Sequence, residues 1–156
     1  AYFLEVAKPR QREETTLFPG AAELLRELHS QGVRLGIVST KSGDTIAYIM
    51  DRYGLGDCLE VILGSYDVTC HKPHPEGLLT AMERMGVPPE AFLYCGDTVL
   101  DAEAAQRAGV DFMAVLNGTT PAEDFLPWPC LYTARDLKEL GEAIRPHTAQ
   151  PGAALL

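Results

Sequence analysis

Short apolar runs alternate with amphipathic segments along the chain, and this alternation constrains the fold more than any other feature. Val33–Ser39 (VRLGIVS), Glu60–Leu63, Ala91–Cys95 and Phe112–Leu116 read as buried strands. Between them, Ala21, Leu24, Leu25 and Leu28 recur at helical spacing over 21–31, after the Pro19-Gly20 turn and before Gly32. Ile46, Ala47, Ile49, Met50 and Tyr53 do the same over 42–53, with Gly54 as the stop. Leu78, Ala81, Met82 and Met85 mark a helix over Glu76–Met85, with Pro75 favourable at its start. Leu100–Ala108 closes on Gly109, and Leu137, Leu140 and Ile144 mark a last helix over Asp136–Ile144. Strands and helices in this order predict an α/β fold in three layers, a mostly parallel sheet with helices on both faces.

Composition narrows the partners. A chain of 156 residues, 46% hydrophobic and 22% charged, is large enough for one core. No apolar run approaches the roughly 20 residues that span a bilayer, so no membrane segment is expected. Thirteen basic against 22 acidic residues give a net charge of −9, without the basic stripe that nucleic-acid binding needs. Cys58, Cys70, Cys95 and Cys130 are irregularly spaced with no C-x-x-C pair. They are expected to be free thiols in a reducing cytoplasm, neither a zinc site nor a disulfide framework. His29, His71, His74 and His147 show no metal-ligand spacing; His29 and His147 read as surface residues, and His71 and His74 as flanks of Lys72 that shape its surroundings. Trp128, between two prolines, reads as a core or loop anchor. Pro146–Leu156, with two prolines and a glycine and no periodicity, is expected to be a flexible tail.

In a parallel α/β sheet, chemistry collects beyond the carboxyl ends of the strands. Ser39-Thr40-Lys41 follows the first strand, and a loop over Gly64–Pro75 holding His71-Lys72-Pro73-His74-Pro75 follows the second. Gly96-Asp97-Thr98, with Asp101 four residues beyond Asp97, follows the third. Ser39 and Thr40 either cap the next helix or grip a phosphate with nearby backbone amides. Lys72 is either a solvated surface lysine or a point charge for a phosphate. Asp97 and Asp101 are either a cap and a first-turn charge or two ligands of a hard cation. Two carboxylates about 4 Å apart repel by roughly 4 kcal/mol at an effective dielectric of 20, and Mg2+ would reverse that sign.

IVSTK at 37–41, HKPHPEGL at 71–78 and YCGDTVLDAEAAQRAG at 94–109 resemble three successive motifs of the haloacid dehalogenase superfamily, closest to its phosphoglycolate phosphatase and pyrophosphatase-like branch. The resemblance covers roughly residues 17–120. It implies a Rossmann-like core over 17–145, with 1–16 as a remnant of a cap or linker helix. It further implies that Ser39 and Thr40 bind phosphate, that Lys72 neutralises it, and that Ser39 and Lys72 serve catalysis. Asp97 would be a direct Mg2+ ligand, and Asp101 would act on the ion indirectly, through its ligands or through water. The implied activity is Mg2+-dependent hydrolysis of a small phosphorylated metabolite.

The sequence departs from the family at one point. Members open with a strand ending in Asp-x-Asp-Gly, whose first Asp attacks phosphorus and whose second moves the proton. No Asp-x-Asp occurs here, and the first aspartate is Asp44. Enzymes accelerate phosphate monoester hydrolysis by up to ~10²¹, by this family's route through an aspartyl-phosphate. The chain alone is therefore expected to have no meaningful phosphatase activity. The resemblance also implies that the chain is the C-terminal core portion of a phosphatase and that a central strand is missing between 33–38 and 91–95, to be filled by a partner strand, by swapped elements of a homodimer, or by residues outside this sequence. A non-catalytic relative that kept the pocket for binding or regulation is the alternative.

Overall fold

Alternate side chains of each strand face opposite ways, and in this chain both faces are apolar. The computed structural model describes residues 15–148 and 154–155. It places α1 (Ala21–Ser30), β1 (Arg34–Val38), α2 (Gly43–Arg52), β2 (Leu59–Leu63), α3 (Glu76–Met85), β3 (Phe92–Gly96), α4 (Val99–Ala108), β4 (Asp111–Val115), β5 (Tyr132–Ala134), α5 (Leu137–Thr148) and β6 (Ala154–Leu155) in chain order. The sheet has six strands in the order β2-β1-β6-β3-β4-β5, and every pairing is parallel.

On one face, Phe92 and Tyr94 of β3, Phe112 and Ala114 of β4 and Val61 and Leu63 of β2 pack under α3 and α4. On the other, Leu35, Leu93, Met113 and Val115 meet Leu28 of α1 and Leu140 and Ile144 of α5. Ile46, Ile49 and Met50 of α2 meet Ala22 of α1 and partly buried Ile37 and Ile62 in a third apolar cluster. The α/β fold in three layers with a parallel sheet is thus as the alternation requires. Among the described residues, no helix is long and apolar enough to cross a membrane. Trp128 packs against the core, His29 and His147 are exposed, and the four cysteines are free.

Three expectations are corrected. Strand β5 was not foreseen: its three residues are too few for a periodic signal. The chain from 146 onward is not simply a tail: α5 continues through Pro146 to Thr148, although a proline there has no N–H to return to the carbonyl four residues earlier. Then Ala154 pairs with Arg34 and Phe92, and Leu155 with Leu35 and Leu93, so this chain's own C-terminal strand enters the expected gap. The driving force is the row of unpaired backbone groups that β1 and β3 would otherwise present. Past those two rungs, no strand among the described residues separates Gly36–Val38 from Tyr94–Gly96. The expected helical remnant over 1–16 lies almost wholly outside the described residues.

Candidate active site

Three loops converge at the carboxyl ends of β1, β2 and β3, and glycines set how closely. A Cβ on Gly64 would lie 2.0 Å from the Gly43 amide nitrogen and 2.6 Å from the Lys41 carbonyl oxygen, so the loops after β1 and β2 touch backbone to backbone. The Ser65 amide donates to that Lys41 carbonyl at 2.9 Å. Gly77 presses the first turn of α3 onto Val38, where a Cβ would meet the valine methyl at 2.7 Å. This brings the His71–Pro75 segment to the end of β1.

Ser42, not Ser39 or Thr40, caps α2: its hydroxyl accepts from the Thr45 amide at 3.3 Å. The capping explanation for Ser39 and Thr40 is therefore removed. The Ser39 hydroxyl accepts from the Lys41 amide at 3.2 Å, which orders the turn around it, and Thr40 is exposed.

Lys72 is not a solvated lysine. Its Nζ donates to Asp101 Oδ1 at 2.5 Å and to the Tyr94 hydroxyl at 3.0 Å. The Tyr94 hydroxyl lies 3.0 Å from Asp101 Oδ1 and 3.5 Å from the Val38 carbonyl oxygen. One buried tyrosine thus links the end of β1, the Lys72 loop and the start of α4. Burial, then the adjacent Asp101 carboxylate, pushes the Tyr94 hydroxyl well above its ordinary range, so it stays protonated and can donate.

Asp101 is only 3% exposed. Its Oδ2 accepts from the Asp97 amide at 3.2 Å, the Thr98 amide at 3.0 Å and the Thr98 hydroxyl at 2.8 Å. Thr98 caps α4 and Asp101 returns the bond, a reciprocal capping box. Burial would raise the Asp101 carboxyl, but the Lys72 ammonium and the bonds from Thr98 and Tyr94 more than reverse it, and the net direction is down. With five donors on its two oxygens, Asp101 holds Lys72 rather than offering a lone pair to a cation. The Lys72 ammonium offsets the Asp101 charge.

Asp97 is different. It is half-buried, and its carboxylate makes no hydrogen bond or ion pair among the described residues. It sits against Gly118 in the loop after β4, where a Cβ would lie 2.6 Å from Asp97 Oδ2. An uncommitted carboxylate fits one position on Mg2+, which commonly takes one or two carboxylates with water and substrate phosphate. Tyr94 was not anticipated as part of the site; its signal was an inward-facing polar side chain in an apolar strand.

The family profile of haloacid dehalogenase-like hydrolases matches residues 1–115. The chain belongs to the haloacid dehalogenase-like hydrolases. It is similar to phosphoglycolate phosphatase of Salmonella typhimurium, 37% identical over 117 residues, covering 75% of this chain and 45% of that protein. The Escherichia coli phosphoglycolate phosphatase is 36% identical over the same shares. Among solved structures, a Bacteroides fragilis protein assigned to the haloacid dehalogenase-like hydrolases aligns with a TM-score of 0.80 and 40% identity, covering 83% of this chain and 61% of that one. A superfamily hydrolase of subfamily IA from Geobacter sulfurreducens aligns at 0.67 and 28%, covering 81% and 60%. The chain spans less than half the length of the curated relatives it matches.

Proposed function

We propose that this haloacid dehalogenase-like chain carries the phosphate- and Mg2+-binding part of a phosphomonoester hydrolase of phosphoglycolate phosphatase type. The observation that carries the reading is Lys72, held at the sheet's carboxyl end by Tyr94 and Asp101 within reach of the β1 terminus. Lys72 and the Ser39 hydroxyl, with Thr40 beside it, bind the phosphoryl oxygens, and Asp97 holds the metal. When bound, Mg2+ draws charge from the phosphoryl oxygens.

The Lys72 charge is already balanced by Asp101, and Asp97 adds one negative charge. A phosphate dianion therefore needs the divalent cation before it gains net attraction at this site. The attacking carboxylate has no counterpart among the 156 residues, which contain no Asp-x-Asp. We place it on a strand continuing the sheet beside Gly36–Val38, supplied from outside these 156 residues, and the chain alone binds without turning over. A purely binding or regulatory role is the second reading, favoured by the same absence. Four free cysteines fit a reducing cytoplasm.

Titration of the chain with inorganic phosphate, with and without Mg2+, tests the site. Binding is expected only with Mg2+, and Lys72→Ala and Asp97→Asn should each abolish it or weaken it at least about tenfold. Equal affinity without Mg2+, or for the Asp97→Asn variant, refutes the assignment. Turnover of p-nitrophenyl phosphate with Mg2+ by the chain alone refutes the need for a supplied carboxylate.

A further inference from the structure

The loop that carries Lys72 gathers a second set of metal-ligating atoms. The thiol of Cys70, a ring nitrogen of His74 and a carboxylate oxygen of Glu76 lie within 4.8 Å of one another. Cys70 and His74 are exposed, so a cation has an open path to them. Sequence spacing hid the set because cysteine, histidine and carboxylate were each read with their own kind.

The Glu76 carboxylate is held in place: one oxygen accepts from the Thr69 amide at 2.8 Å and the other from the Cys70 amide at 2.7 Å. Each oxygen keeps a lone pair beyond that bond. The His74 ring lies over the start of α3, with Nδ1 accepting from the Glu76 amide at 3.2 Å, a long bond that coordination through Nδ1 would replace.

We propose that Cys70, His74 and Glu76 form a metal site for Zn2+ or a cation of similar softness, separate from the Asp97 site. A thiolate and an imidazole select a borderline cation over Mg2+, which prefers oxygen alone. Three protein ligands leave the fourth tetrahedral position to water. The charges close: Zn2+ is neutralised by one thiolate and one carboxylate, and the thiol proton leaves to solvent. Ligand atoms on Zn2+, at bond lengths of about 2.0–2.3 Å, stand roughly 3.3–3.7 Å apart. The present separations, none above 4.8 Å, therefore close by at most about 1.5 Å through rotation of the side chains. An occupied site ties positions 70, 74 and 76 together on both sides of Lys72 and stiffens the segment that presents it.

Co2+ titration of the full chain under reducing conditions, followed by absorption, is the test. One equivalent should produce a thiolate-to-cobalt charge-transfer band, removed by Zn2+ and not by excess Mg2+. Cys70→Ser should lose the band, and His74→Ala and Glu76→Gln should bind at least about tenfold more weakly, the scale set by loss of even an outer-shell partner. Far-ultraviolet circular dichroism checks that each variant is folded, which exposed positions favour. Absence of the band, a band that survives Cys70→Ser through another thiol, or unchanged affinity in both other variants overturns the proposal. Asp97→Asn should leave the band intact, which separates this site from the proposed phosphate site.

Discussion

Lys72→Met removes the ammonium from a pair whose side chains are 13% and 5% exposed while keeping the length and packing of the stem. Breaking a buried ion pair by deleting one partner costs about 3–5 kcal/mol, because the other charge is left in low dielectric. Asp101 keeps hydrogen bonds from the Asp97 and Thr98 amides and from the Thr98 and Tyr94 hydroxyls. These donors favour the charged form, so the low end applies: about 3 kcal/mol near neutral pH, roughly a hundredfold or more in the folding constant. The pH dependence carries the sign. In the wild type, burial raises the Asp101 carboxyl and Lys72 with its other donors brings it below the unfolded value. That stabilisation is present above about pH 3.9 and is lost as pH falls through the lower folded value. Without Lys72, burial dominates and the folded value rises above the unfolded one. The variant's deficit is then full at neutral pH and shrinks as acid protonates the buried carboxyl. Urea unfolding followed by circular dichroism, at neutral and mildly acidic pH, measures both. Asp101→Asn in the Lys72→Met background should recover much of the loss. A deficit below about 1 kcal/mol, typical of exposed pairs, or one independent of pH, refutes the buried-pair argument.

Gly96→Ala puts a Cβ 2.5 Å from the Asp101 Cβ and 2.6 Å from its carboxylate; a loss of about 1–3 kcal/mol in thermal unfolding is expected, and an unchanged midpoint contradicts the packing. Ala154→Asp buries a carboxylate at a position 3% exposed between β1 and β3. It should cost at least about 2 kcal/mol, whereas a surface-like effect within about 0.5 kcal/mol shows that β6 does not occupy the gap. In an alkaline ultraviolet titration of the folded chain, Tyr94 should ionise well above the ordinary tyrosine range. An unfolded tyrosine ionises near pH 10 while folded Tyr94 keeps its proton beside Asp101, so stability falls as pH rises past about 10; a Tyr94→Phe variant that leaves the late step in place refutes the assignment.

The helices over 21–30, 43–52, 76–85 and 99–108 and the four longer strands were legible within a residue or two, because their signals are local. Periodicity, a stop glycine such as Gly54 and a cap residue act on neighbours in the chain. The loops bearing Ser39, Lys72 and Asp97 were legible for a related reason: strand order alone places them at one end of the sheet. What a residue does there was not local. Lys72 and Asp101 are 29 positions apart, and Lys72 and Tyr94 are 22. Only closure of those loops decided that Asp101 would meet an ammonium and that the Asp97 carboxylate would have no hydrogen-bond partner among the described residues.

The alternating pattern by itself determined a parallel sheet between two helical layers, since each face of each strand had to be buried. Tertiary structure alone decided the occupant of the slot between β1 and β3. Two residues, Ala154 and Leu155, carry no readable period, and their pairing is set by unpaired backbone groups that exist only once the sheet has formed. It alone also set Cys70, His74 and Glu76 side by side, because a loop between two elements folds to the contacts available at its ends rather than to any repeat in its own residues.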